Sequence, residues 1–136
     1  MGYEATRETI MAYTRGGQGS HGPARGKLAD DAVFTLMSTG KSLEGRREVE
    51  RFLDLLYVEA FRARDEIQTV VVEGDHAVVE ALFVAEHIGT FDGIAATNRE
   101  VRVSYCSVYK VVDGAIESGH IYLPFDALRE QLAAPQ

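Results

Sequence analysis

The side chains of this chain that could carry acid–base chemistry gather on its last two strand-like segments. Between Val101 and Val112, Val103, Tyr105, Ser107 and Tyr109 fall on one face of an extended strand, and Arg102, Ser104, Cys106 and Lys110 on the other. Arg and Lys stay in water, so the face with two phenols and a hydroxyl is expected to turn inward and orient a polar small molecule. From Ala115 to Leu123 the same alternation puts Glu117, Gly119, Ile121 and Leu123 on one face and Ile116, Ser118, His120 and Tyr122 on the other. Glu117 is the only acid of that set. If it shares an interior with Tyr105 and Ser107, burial would raise its pKa into the range of a general base; at a strand edge it would be one more surface charge. His120 and His87 are the two histidines inside strand patterns, open to proton transfer or to a structural role. His21 lies in a glycine-rich loop and His76 at a turn.

Other chemistries lack their residues. There is no H-E-x-x-H, no Cys/His cluster and no nucleophile elbow, so neither a metal nor a serine nucleophile is expected. Gly17, Gly19 and Gly22 match G-x-G-x-x-G, but they follow a helix instead of a strand, which argues against a dinucleotide cofactor. The single cysteine, Cys106, excludes an internal disulfide and is expected as a buried, reduced thiol.

Composition narrows the partners. With 136 residues the chain is most simply one domain, 1–136. Its net charge of -7 argues against nucleic acid, which needs a clustered basic surface. No apolar run approaches the roughly 20 residues of a membrane span, and the charges within Tyr3 to Arg15 do not suit a signal peptide, so a cytoplasmic location is expected.

The elements that must position these residues follow from periodicity. Tyr3 to Arg15 reads as a short helix, and Gly16 to Lys27 as a loop, possible cover for a pocket. Ala32 to Met37 reads as a first strand, ended by Ser38 to Gly40. From Gly45, Val49, Phe52, Leu53, Leu56, Tyr57, Ala60 and Phe61 form one helical stripe that must lie on a sheet, although Tyr57 could point its hydroxyl into a cavity. Ile67 to Val72, Ala77 to Thr90, Val101 to Val112 and Ala115 to Leu123 read as a meander of four strands. Asp113-Gly114 is a strong hairpin signal, and Asp126 to Leu132 reads as a short terminal helix. The order is that of an α+β domain with helices on one face of an antiparallel sheet.

The stretch between the second and third strands of that meander, His87-Ile-Gly89-Thr-Phe91-Asp-Gly93-Ile94-Ala-Ala-Thr97-Asn-Arg99-Glu-Val101, resembles the H-x-G-x-F-x-G-I-x-x-T-x-R-x-V signature of SnoaL-like polyketide cyclases. Leu43-Glu-Gly45-Arg, Asp113-Gly114-Ala-Ile116 and Leu128-Arg-Glu-Gln131-Leu132 resemble further family motifs. The resemblance implies the nuclear transport factor 2-like cone: a curved, mostly antiparallel sheet with helices enclosing a deep apolar pocket, commonly in a homodimer. It also implies cofactor-free chemistry on a small polyketide-like substrate of secondary metabolism. Relatives of this kind include aldol cyclases, epoxide hydrolases and binding proteins without activity. Aligned on Asp113-Gly114, however, the histidine and aspartate of the aldol cyclases fall on Ser107 and Ile121, and the arginine and two aspartates of the epoxide hydrolases on Ile88, Thr90 and Ile121.

A rebuilt catalytic set is therefore expected, with Glu117, His120 or His87 moving protons and Tyr105 donating a hydrogen bond to a carbonyl or enolate. Tyr109, Ser107, Tyr57, Tyr13, Phe34 and Ile121 are expected to contact substrate. The expected function is a cyclase or isomerase; the alternatives are a hydrolase or dehydratase on the same scaffold, or a binding protein that has lost catalysis.

Overall fold

A computed structural model describes residues 2–16 and 22–133. Helix α1, Gly2–Gly16, is followed by a 3-10 turn at Arg25–Lys27 and strand β1, Leu28–Leu36. Strand β2, Lys41–Glu44, helix α2, Arg46–Asp54, and a π-helical turn at Leu55–Glu59 come next. Strands β3, Phe61–Glu73, β4, His76–His87, β5, Glu100–Val112, and β6, Ala115–Tyr122, form the meander, and helix α3, Phe125–Ala133, closes the described chain. The six strands make one sheet in the order β2-β1-β6-β5-β4-β3.

All neighbouring pairs are antiparallel except β1 with β6, which is parallel, so the sheet is mixed. The expected meander is present, and the Asp113-Gly114 hairpin turns with both residues at positive φ, 50° and 75°. Strand β2 was not expected, because only Leu43 of its four residues is buried and so short a segment shows no period.

The helical stripe on α2 is buried as read: Val49, Leu53, Leu56, Tyr57 and Ala60 are all in the core. The helix itself ends earlier than the stripe implies. Ala60 donates its N–H to Leu55 O at 2.8 Å, five residues back, and Phe61 is already in β3, paired with His87. The Ala60 carbonyl accepts from Ile88 and Gly89 N–H at 2.9 and 3.0 Å, so sheet pairing captures this residue before another helical turn can form.

Helix α1 packs against β3, β4, β5 and β6 through Ile10 and Tyr13. Its buried threonines satisfy their hydroxyls on backbone: Thr9 on Ala5 O, Thr14 on Ile10 O, and Thr6 on Gly74 O at 2.8 Å, which ties the helix to the β3–β4 turn. The core between helices and sheet is rich in aromatic rings. A chain of edge-to-face contacts runs from Tyr57 through Phe83 and Phe61 to Phe91, which stacks on Phe125 of α3.

The expected face assignment on β5 holds: Val101, Val103, Ser107, Tyr109 and Val111 are buried. On β6 a bulge interrupts the alternation, since Lys110 pairs with Ser118 and Val111 with Ile116. Glu117 is the extra residue, and Ile116 faces the core in its place. Cys106 is half-buried on the outer face, a free thiol whose pKa burial and then the Glu80 charge push upward, so it behaves as packing and not as a nucleophile. No helix among the described residues is long and apolar enough to cross a membrane.

Candidate active site

The cavity under the sheet is built around a carboxylate. Asp65 sits in β3 after Phe61 and Ala63, the third inward residue of an otherwise apolar alternation, and its register partner on β4 is Phe83. It is 3% exposed. Tyr57 donates its hydroxyl to both carboxylate oxygens, 2.9 Å to Oδ1 and 2.7 Å to Oδ2, and the Tyr105 hydroxyl lies beside the carboxylate as a second donor toward it. Burial outweighs these two donors and raises the Asp65 pKa to about 6. Burial likewise holds Tyr57 and Tyr105 well above the ordinary phenol value, so both remain protonated donors.

The π-helical turn presents Tyr57. One additional residue per turn widens the coil, and such turns are frequent at functional sites. On the opposite side the ring meets Gly22, where a Cβ would lie 2.6 Å from the ring carbon Cγ; with a φ of +85°, this position accepts only glycine. The ring is thus held between Gly22 and Phe83, with its hydroxyl on Asp65.

Ser107 and Tyr109 continue the polar lining along β5, Tyr13 of α1 joins them, and Phe34, Phe52, Leu53, Phe83 and Ile121 supply apolar walls. Tyr13 and Tyr109 meet edge to face at 5.6 Å. Ser107 is fully buried, and its Oγ has no hydrogen-bond partner of normal geometry among the described residues. Ser107 pairs across the sheet with Ile121. The cavity is small, about 30 Å³, so a ring-sized guest has to part the lining.

The structure therefore gathers seven expected residues, Tyr105, Tyr109, Ser107, Tyr57, Tyr13, Phe34 and Ile121, around one cavity. The three expected proton carriers lie elsewhere. The bulge turns Glu117 outward, where it is half exposed and pairs with Lys110 at 3.8 Å. His120 is exposed on the outer face of β6.

His87 is fully buried in the rim, between Phe61 and the 88–98 connection. Its Nδ1 accepts the Thr97 N–H at 3.1 Å, which places the ring proton on Nε2, an atom without a partner of normal geometry among the described residues. Burial lowers its pKa, against a smaller opposing contribution from the Gly89 backbone. The folded protein therefore resists charging His87, while the unfolded chain protonates it near 6.5. Between the lowered folded value and 6.5 the unfolded state binds more protons, so His87 costs the fold nothing above 6.5 and stability is lost as pH falls from 6.5 toward the folded value. We expect the His87 ring, followed by nitrogen-detected NMR, to titrate below 6.5 and to keep a bare Nδ1 throughout.

Asp65 itself was not expected. Its signal was present: a carboxylate in phase with Phe61, Ala63 and Ile67. Reading the strand from Ile67 instead of Phe61 hid that phase.

The fold is an α+β cone of the ketosteroid isomerase and nuclear transport factor 2 type. The family model of the SnoaL-like domain matches residues 25–118, and the chain belongs to that family. Solved structures agree on the fold. A protein of Jannaschia sp. CCS1 named for the SnoaL-like polyketide cyclases superposes with a TM-score of 0.86 at 22% identity, over 99% of this chain and 96% of that one. IdmH of Streptomyces antibioticus, named as a polyketide cyclase, gives 0.78 at 20% identity over 95% and 99%. A protein of Kribbella flavida named as a ketosteroid isomerase gives 0.67 at 19% over 90% and 79%. No match was found among curated proteins.

Proposed function

We propose that this protein is a cofactor-independent cyclase or isomerase of a ketone-bearing, polyketide-like small molecule, with Asp65 as the proton carrier and Tyr57 and Tyr105 as hydrogen-bond donors. The observation that carries the reading is the buried Asp65 carboxylate, held near neutrality at about 6 and facing a cavity with two phenols on it. A base with a pKa close to the working pH transfers protons most effectively. It takes up the role that the family's histidine and aspartate would have had at Ser107 and Ile121.

The steps balance without an oxidant or a cofactor. Asp65 takes a proton from the carbon beside a carbonyl; the C–H bond breaks, an O–H bond forms on the carboxyl, and the electron pair moves to the carbonyl oxygen. Protonation removes the carboxylate's pull on its donors, so the Tyr57 and Tyr105 hydroxyls are released toward the developing enolate. The enolate carbon then either attacks a second carbonyl, closing a ring, or regains the proton at a different carbon. In the first case Asp65 returns its proton to the new alkoxide. A cytoplasmic homodimer accompanies this reading.

The test is exchange of α-protons with deuterated water, followed by NMR on a panel of cyclic and linear ketones. Catalysed exchange should rise with pH through about 6 and level off above it, as an Asp65 carboxylate requires. Glu117→Gln and His120→Gln should leave it within about two-fold, as substitutions away from the site do. Tight ketone binding without any acceleration would instead favour a binding protein.

A further inference from the structure

The acid–base cluster occupies only one part of the cavity lining. Tyr105, Ser107 and Tyr109 point inward from alternate positions of β5, so their backbones are spaced by about 7 Å each. Asp65 and Tyr57 engage the Tyr105 end. At the Tyr109 end the lining carries Tyr13 and Tyr109, whose hydroxyls interact with each other. Between them lies the Ser107 hydroxyl, which faces Tyr109 without reaching hydrogen-bond geometry.

A buried hydroxyl with no partner is costly to keep. Valine or alanine would fill a purely structural position more cheaply, and the flanking inward residues on β5 outside the cavity, Val103 and Val111, are valines. We infer that Ser107, with Tyr109 and Tyr13 behind it, is a second oxygen-binding subsite, so that the substrate carries an oxygen function apart from the carbonyl whose α-carbon is deprotonated. Ser107 gives a donor or an acceptor by rotating its hydroxyl, and Tyr13 and Tyr109 add further hydroxyls of adjustable orientation. The subsite thus accepts either a hydroxyl or a carbonyl. The guest it selects is a dioxygenated, largely apolar ring or chain, with one oxygen at each end of the polar strip. This inference rests on the acid–base reading for the identity of the first oxygen, and not for the existence of the second.

The experiment compares two probes that differ by one oxygen, 1-tetralone and 6-hydroxy-1-tetralone, by calorimetry on wild type, Ser107→Ala and Asp65→Asn. Wild type should bind the hydroxylated probe about five-fold more tightly, the value of one net buried hydrogen bond. That preference should vanish in Ser107→Ala and survive in Asp65→Asn. A preference unchanged by Ser107→Ala, or no preference in wild type, including no binding of either probe, would overturn the subsite. Exchange of the tetralone α-protons is read in the same samples. Exchange that persists in Asp65→Asn sinks the acid–base reading while leaving the oxygen preference to stand or fall by itself.

Discussion

Asp65→Asn is expected to abolish turnover and, at the same time, to make the protein more stable at neutral pH. The loss of rate should be about 10²- to 10⁴-fold, the usual contribution of a positioned base. The gain in stability follows from the raised pKa. The folded carboxyl has a pKa of about 6 against an ordinary value of 3.8, so below the unfolded value both states are protonated and the group costs nothing. As pH rises toward 6 the unfolded state ionises first, and stability is lost until the folded pKa is passed. A shift of this size corresponds to about 3 kcal/mol at neutral pH. Asparagine keeps the shape and still accepts from Tyr57 and Tyr105, but it never ionises. Urea denaturation should therefore show the variant ahead of wild type by up to about 3 kcal/mol at pH 8 and level with it near pH 3. An equal advantage at both pH values would refute the linkage. A stability penalty concentrated on one carboxylate is what a functional group, and not a structural one, leaves behind.

The second large effect lies at the rim. In Gly89→Ala the new Cβ would sit 2.3 Å from the Glu59 carbonyl oxygen, far inside contact distance. Neither side can yield cheaply, because both are backbone and the two segments are bonded through Ile88 and Gly89 N–H to Ala60 O. The expected cost is about 3 kcal/mol, the upper range for overpacking. Glu59 ends the π-helical turn that carries Tyr57, so the displacement should also loosen the Tyr57–Asp65 hydrogen bonds and reduce activity. Gly93→Ala is the contrast: nothing lies within 4 Å of its Cβ, and only its φ of +79° opposes a side chain. It should cost about 1 kcal/mol, the penalty of a left-handed residue, without touching activity. Denaturation midpoints and exchange rates of the two variants check this, and a Gly89→Ala protein as stable as wild type would rule it out.

The rim also explains what the family signature is for. His87 accepts the Thr97 N–H, Gly89 lets the Glu59 backbone approach, and Phe91 to Ile94 closes a two-residue turn through paired backbone hydrogen bonds. At the other end, Gln131 of the L-x-x-Q-L motif imitates a strand: its amide accepts from Arg102 N at 3.0 Å and donates to Arg102 O at 2.8 Å. These residues build the scaffold. Their pattern was readable because each one satisfies a local backbone demand at a set spacing, and that is why the family was legible while the proposed proton carrier, Asp65, was not.

Periodicity alone determined the α+β class, the four-strand meander, the buried stripe on α2 and the inward face of β5 with Tyr105, Ser107 and Tyr109. Each of these depends on a repeat of two or 3.6 residues within one segment, and a single sequence carries that repeat whole. Tertiary structure decided the rest. The bulge at Glu117 reversed the parity that had aimed its carboxylate inward, and one unpaired residue suffices to do so because the strand period is two. Pairing of Phe61 with His87 cut the α2 stripe short and opened the π-helical turn behind Tyr57. Asp65 meets Tyr57 only because strand β3 folds back beneath that turn, and meets Tyr105 only because β4 lies between β3 and β5. Its pKa, and with it the proposed chemistry, comes from burial among side chains distant in sequence, a property that no local pattern encodes.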